Sequence, residues 1–237
     1  MAQGADQGFS VKIAMLGESG VGKTCIIDRF VNDVFNDYTD PTKGASFRAK
    51  GIKSLDGTVE IKLMLWDTAG QEIYRSLAPF YYKDADVAIL VYDITNDKSY
   101  EALQYWSNEV KQNGKPECLL TIVGNKCDCI DNEKVSPTVA KEFAKTLNGS
   151  FFLSSAKENS NIRELFIDLA MRKYPNMRSK FGFEEAKHEV DSQIPSAQEK
   201  AATKAKQAEA SPDKKDQAGF KLAPAEKTQS NKKKGCC

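Results

Sequence analysis

Apolar positions along this chain gather into six runs, at residues 11–17, 51–55, 59–67, 87–93, 119–125 and 151–154. Several are continuously apolar, as strands buried on both faces of a parallel sheet should be. Asp56-Gly57, between the second and third runs, reads as a hairpin turn, which makes that strand pair antiparallel. Helical signals fill the later gaps. Ser136 precedes Pro137, a capping hydroxyl before a proline at the first helical position. Asn161 followed by Glu164 has the form of a capping box, and Ile162, Leu165, Phe166 and Leu169 then mark one buried stripe. Strand–helix alternation of this kind predicts an α/β fold with a six-stranded, mostly parallel sheet, helices on both faces and one antiparallel strand pair.

The pattern fails after Pro175, where Ala, Lys, Glu, Gln and Ser dominate. Residues 196–210 have helix propensity but no apolar face to bury, so fraying should win. The expected organisation is a flexible N-terminus at 1–8, a folded domain at 9–175 and a disordered basic tether at 176–237. A coil of that length spans about 40 Å root-mean-square. The formal net charge of +1 argues against a dedicated nucleic-acid binder. It hides an asymmetry: residues 176–237 carry 13 Lys+Arg against 9 Asp+Glu, leaving 21 and 24 in the body. No apolar run approaches the roughly 18–20 residues of a membrane helix. Residues 1–10 lack the basic flank and apolar core of a signal peptide. The six cysteines form no secreted-type framework, and one histidine (His188) without spaced Cys pairs argues against zinc. Cys25, Cys118, Cys127 and Cys129 read as ordinary reduced residues, in a reducing cytosol.

Candidate chemistry begins at Gly17, Glu18, Ser19, Gly20, Val21, Gly22, Lys23 and Thr24, which satisfy G-x-x-x-x-G-K-[ST] between a strand and a helical pattern at 25–31. Glycines let successive backbone N–H groups approach phosphates, and a helix N-terminus adds partial positive charge. Lys23 would bridge the β- and γ-phosphates, Thr24 would offer its hydroxyl to Mg²⁺, and Cys25 follows directly on the loop. The fold expected is therefore that of a P-loop NTPase. This loop alone leaves the base open.

The base is addressed by Asn125, Lys126, Cys127 and Asp128, at the carboxyl end of the fifth run. An ionised Asp128 can accept from guanine N1–H and N2–H₂, donors that adenine lacks. Lys126 can lie along the base, and Asn125 can brace neighbouring loops. Ser155, Ala156 and Lys157, after the sixth run, would present a backbone N–H to the guanine O6. Asp67 ends the third run, placed to hold Mg²⁺ through water. Gly70 leaves room for its N–H at the γ-phosphate, and Gln71 can orient an attacking water.

Together these segments resemble the small GTPases of the Ras superfamily over residues 9–175. The resemblance implies that Thr42 coordinates Mg²⁺ and touches the γ-phosphate only in the triphosphate state, and that Phe35 packs edge-on to the guanine. Gly44–Phe47, Lys62–Glu72, Tyr81–Lys83 and Leu90–Thr95 are similar to Rab proteins. Phe47, Trp66 and Tyr81 match their effector-facing aromatics, although spacing alone favours core packing. Ser76–Pro79 with Gly44–Phe47 looks most like the early-endosomal branch. Lys43 and Ile73 depart from the pattern, where an apolar residue and an arginine are usual.

The chain ends Lys232-Lys233-Lys234-Gly235-Cys236-Cys237, which is not a C-a-a-X box. It resembles the paired cysteines of Rab proteins, which carry two geranylgeranyl groups. Two chains suit stable anchoring, since one short chain holds a protein only marginally, and each lysine adds about 1 kcal/mol on an anionic leaflet. The resemblance implies a GTP/GDP-Mg²⁺ switch that hydrolyses GTP slowly and recruits effectors in endosomal vesicle trafficking. Its partners would be an exchange factor, a GTPase-activating protein, a GDP-dissociation inhibitor and an escort protein. The chain would act as a monomer, on the cytoplasmic face of early endosomes with a cytosolic pool. No residue is assignable as a built-in arginine finger, so activation by a partner, worth roughly 10³–10⁵ in rate in Ras-type cases, is expected. A bulky side chain at Ser19 should obstruct that step. Two rivals remain open from the residues: a metabolic P-loop kinase or ATPase, and a nucleotide-locked adaptor with negligible hydrolysis.

Overall fold

Two central strands set the architecture. In a computed structural model describing residues 8–71 and 76–182, β4 (Val87–Asp93) is buried along its whole length and β5 (Leu119–Asn125) along nearly all of it. Strands so apolar need cover on both faces, which places them inside a parallel sheet. With β1 (Phe9–Leu16), β2 (Ala45–Lys53), β3 (Glu60–Thr68) and β6 (Ser150–Leu153) the sheet has the order β2-β3-β1-β4-β5-β6. Only β2 and β3 pair antiparallel. The expected fold class holds.

The second strand starts six residues earlier than its apolar run. Arg48 and Lys50 interrupt the pattern, yet β2 is an edge strand with one side toward water, where charged side chains are tolerated. Lys50 turns back to donate from Nζ to the Phe30 and Val31 carbonyls. Those carbonyls lie at the C-terminus of α1 (Lys23–Asn32), where a cation meets the negative end of the helix dipole.

On one face of the sheet, α1 packs beside α5 (Ile162–Lys173). Phe30 and Phe166 stack with ring centroids 4.0 Å apart, worth about 0.5–1.5 kcal/mol beyond the area they bury. Ile162, Leu165, Phe166 and Leu169 are all fully buried, as their spacing predicts. On the other face, α3 (Asp97–Asn113) packs on β4, and α4 (Pro137–Thr146) on β5 and β6. The short α2 (Pro79–Tyr82) precedes β4. Ser136 caps α4 by accepting from the Thr138 N–H at 3.3 Å.

Two expectations need correction. Asn161 does not form a capping box: it adopts φ 57°, makes no side-chain cap bond, and donates its amide to the Leu153 carbonyl at 2.9 Å. Tertiary hydrogen bonding outcompetes the local cap there. The segment after Pro175 also stays folded longer than its composition indicates. Pro175–Phe181 is a 3₁₀ turn, Phe181 is buried in the core, and the Leu55 N–H donates to the Lys180 carbonyl at 2.9 Å. One aromatic side chain finds the core and holds its neighbours. The rest of the expected tether, with His188, Lys232–Lys234, Cys236 and Cys237, lies outside the described residues, as do residues 1–7, Glu72 and Ile73. Among the described residues no helix is long and apolar enough to cross a membrane.

Candidate nucleotide site

The carboxyl ends of β1, β3, β5 and β6 open onto a cleft of about 380 Å³. Its phosphate end is built by the turn between β1 and α1. Gly22 stands at φ 94° just before the helix, and an added Cβ would lie 2.3 Å from the Asn125 Nδ2. Glycine is needed both for the conformation and for the space. Lys23 is buried, and its Nζ donates to the Gly17 and Glu18 carbonyls, each at 2.8 Å. Two of three ammonium protons thus hold the loop in shape, and one remains for a ligand. Burial pushes the Lys23 ammonium down to about 8, against the pull of the Asp67 and Glu18 carboxylates.

Beside Lys23 lie three hard oxygen donors from three separate segments. The Thr24 hydroxyl donates to Asp67 Oδ2 at 2.7 Å and lies 3.0 Å from the Thr42 hydroxyl, which approaches the same carboxylate oxygen at 3.4 Å. Asp67 is 1% exposed, and its Oδ1 is buried with no hydrogen-bond partner. Burial raises its carboxyl above the usual range, against Thr24, Lys23 and Thr42, which favour the charge. An orphaned carboxylate oxygen next to two hydroxyls fits Mg²⁺, a hard cation commonly held by one or two protein groups plus phosphate oxygens. When bound, Mg²⁺ would neutralise charge developing on the phosphates.

Gly70 closes this end from the other side. A Cβ there would fall 2.4 Å from the backbone of Glu18 and Ser19, so the strand-end loop packs directly on the phosphate loop. Thr68, which the sequence reading missed, donates its hydroxyl to the Met15 carbonyl at 2.6 Å and ties β3 to β1. Gln71 follows, half-buried, but is not among the residues lining the cleft. The structure describes none of the four residues after it.

The base end draws on more of the chain. Asn125 is 2% exposed. Its Nδ2 donates to the Val21 carbonyl at 2.8 Å, while its Oδ1 accepts from the Ser154 hydroxyl and the Ala156 N–H, both at 3.3 Å. This is the bracing expected of it. Asp128 Oδ1 accepts from the Ser155 hydroxyl at 2.6 Å, leaving acceptor capacity on the carboxylate. Lys126 sits at φ 66° and pairs with Asp93 Oδ2 at 2.7 Å. Burial opposes the Asp93 charge, but Lys126 and the Thr95 amide and hydroxyl hold its carboxyl below the usual range. Asp93 was missed in the sequence, although it ends β4 directly opposite Asn125 in register. Arg29 was missed too. Its Nε donates to the Ala156 carbonyl at 2.8 Å, and its guanidinium lies 6.0 Å from the centroid of Phe35, which lines the cleft. Nothing in an amphipathic helix distinguishes such an arginine from a surface one.

Cys25 and Cys129 also line the cleft, and the four cysteines among the described residues are free thiols. Away from the cleft, Phe47, Trp66 and Tyr81 form a row across β2, β3 and α2, with centroid separations of 5.1 and 5.5 Å. Phe47 is 46% exposed, so the row is a surface feature rather than core.

A sheet of this order, with a phosphate loop after its first strand and a base-reading loop after its fifth, defines a guanine-nucleotide-binding α/β domain. Residues 12–174 match the model of the Ras family. The chain is 43% identical over 162 residues to human Ras-related protein Rab-22A, covering 68% of this chain and 82% of that protein. It is 40% identical over 173 residues to Ras-related protein RABF2b of Arabidopsis thaliana, covering 73% and 85%. Human Ras-related protein Rab-31 is 43% identical over 156 residues, covering 66% and 79%. This chain belongs to the Ras family, among its Rab GTPases. It is accordingly a GTP hydrolase that binds GTP and GDP with Mg²⁺ and works in vesicle trafficking, which removes the metabolic-kinase rival. Exchange factors, activating proteins and effectors are its general classes of partner.

Proposed function

We propose that the phosphate end of the cleft is a switch whose output is the conformation of the loops around Thr42 and Gly70. The observation that carries this is their convergence. The Thr42 hydroxyl lies 3.0 Å from that of Thr24, and Gly70 packs on the backbone of Glu18 and Ser19. A γ-phosphate with Mg²⁺ would pin both loops, and hydrolysis would release them. In this reading Thr24, Thr42 and Asp67 hold Mg²⁺. Lys23 and the N–H groups of Gly17–Cys25 hold the phosphates, and Gln71 orients the attacking water. Phe35, Asn125, Lys126, Asp128 and Ser155–Lys157 hold guanine. The Ala156 N–H rests on Asn125 at 3.3 Å, a long bond that the guanine O6 can displace.

The aromatic row, exposed at Phe47 and half-buried at Trp66 and Tyr81, together with exposed Lys43, is the surface that effectors would read in the triphosphate state. Beyond the folded domain, the tether would carry two geranylgeranyl groups on Cys236 and Cys237. A GDP-dissociation inhibitor and an escort protein would handle that lipid. The working form is a monomer without nucleic-acid partners, on the cytoplasmic face of early endosomes with a cytosolic pool. A tagged Gln71→Leu chain should accumulate on early endosomes, and replacing Cys236 and Cys237 by Ser should make it soluble. Accumulation elsewhere would remove the endosomal assignment. Persistent membrane association of the Ser variant would require another anchor.

A further inference from the structure

Arg29, on α1, hydrogen-bonds to two segments outside its own helix. Its side chain is 15% exposed. Nε donates to the Ala156 carbonyl at 2.8 Å and Nη2 to the Lys157 carbonyl at 3.1 Å. Nη1 donates to the Asp33 carbonyl at 3.0 Å and to Asp33 Oδ1 at 3.2 Å. The same Asp33 oxygen accepts from the Asn159 amide at 3.2 Å, and Lys157 Nζ lies 4.0 Å from Asp37 Oδ1. Asp33 itself is held at φ 55°. The chain leaving α1 is therefore fastened, at three points, to the loop after β6. Phe35, Asn36 and Asp37 from the first segment and Ala156 and Lys157 from the second line the cleft between those fastenings.

We infer that Arg29 is a positioning residue whose latch between residues 33–37 and 155–159 sets the rate at which guanine nucleotide leaves. The inference rests on the reading that Phe35 and Ser155–Lys157 hold the base. A base in that position departs only when one of the two segments swings away, so their mutual bonds enter the dissociation rate directly. The contributions are unequal. Lys157–Asp37 is a long, exposed pair that contributes little. Arg29 is largely buried and donates to two carbonyls on one segment and to the carbonyl and one carboxylate oxygen of Asp33 on the other. Charge-assisted bonds of that kind are the strong ones. A lysine offers a point charge instead of a planar fork and reaches fewer of these acceptors.

The full-length chain, loaded with a fluorescent GDP analogue in excess Mg²⁺, would be chased with unlabelled GDP. Arg29→Gln should release the analogue about tenfold faster, Arg29→Lys by an intermediate factor, and the remote surface change Lys145→Gln at the parent rate. Arg29→Gln and Asn159→Ala, both acting on Asp33, should combine non-additively, whereas unrelated destabilisations add. Release within twofold of the parent, or strict additivity, would overturn the latch. Should Arg29→Gln not fold, the conservative change Arg29→Lys combined with Asn159→Ala decides: about threefold faster release supports the latch, and an unchanged rate sinks it. A parent that binds the analogue no more tightly than its adenine counterpart would instead defeat the base-site reading on which the latch stands.

Discussion

The two ends of the cleft are built differently. At the phosphate end the scaffold is local: one unbroken stretch from Gly17 to Thr24 bends round the ammonium of its own Lys23, and Asp67 and Thr42 arrive from neighbouring segments. At the base end almost every bond is long-range. Asn125 reaches back to Val21, Asp93 meets Lys126, and Arg29 spans to residues 156 and 157. Phosphate binding needs dense positive partial charge, which one turn and a helix start can supply. Base recognition needs a few groups at fixed separations, and a stiff sheet with braces supplies those. Gly22 joins the two, because only a residue without Cβ lets Asn125 lie against the phosphate loop.

This contrast can be broken one end at a time. The largest effect is expected at the base. Asp128→Ala removes the carboxylate proposed to read guanine, and the preference for GTP over ATP should collapse by on the order of 10⁴ in competition binding. A preference that survives would move recognition to the Ser155–Lys157 loop. Next comes the phosphate end. Gln71→Leu should slow single-turnover hydrolysis by about 10² while leaving guanine selectivity intact, the scale of a mispositioned reactant. Unchanged hydrolysis would take Gln71 out of the chemistry. The smallest effect is a titration confined to Lys23. With its ammonium held near 8 in the open site, phosphate must raise that value, so the bound state holds more protons above pH 8. GDP affinity should be level below pH 8 and fall by up to about tenfold per unit above it. Calorimetry at pH 8.5 in two buffers of different ionisation enthalpy should register proton uptake; none would mean Lys23 stays charged throughout.

Legibility followed the same division. The apolar runs located the strands, β2 only at its last three residues, and the phosphate loop was complete as a motif because its function is performed by consecutive residues. Thr42 and Phe35 came only through the resemblance to a known family, since a polar loop carries no periodicity to read. Asn161 and Phe181 show the limits of local pattern from opposite directions. A residue with cap chemistry was taken for a tertiary bond to Leu153, and a residue in polar surroundings was drawn into the core. In both cases the partner is more than a turn away in sequence. The aromatic row is a third case. Phe47, Trp66 and Tyr81 have the spacing of core residues, and only the edge position of β2 leaves Phe47 facing water.

By itself the sequence determined the alternation of strands and helices, the phosphate loop and the order in which base-reading residues follow it. These depend on side-chain periodicity and on groups that act from adjacent positions. Only the tertiary structure decided that Asp67 keeps an unpartnered oxygen beside Thr24 and Thr42. It alone decided that Asp93 holds Lys126 and that Arg29 clasps the loop after β6. Hydrogen bonds and ion pairs are satisfied by whichever partner the packed core brings within about 3 Å, and sequence distance carries no record of that choice.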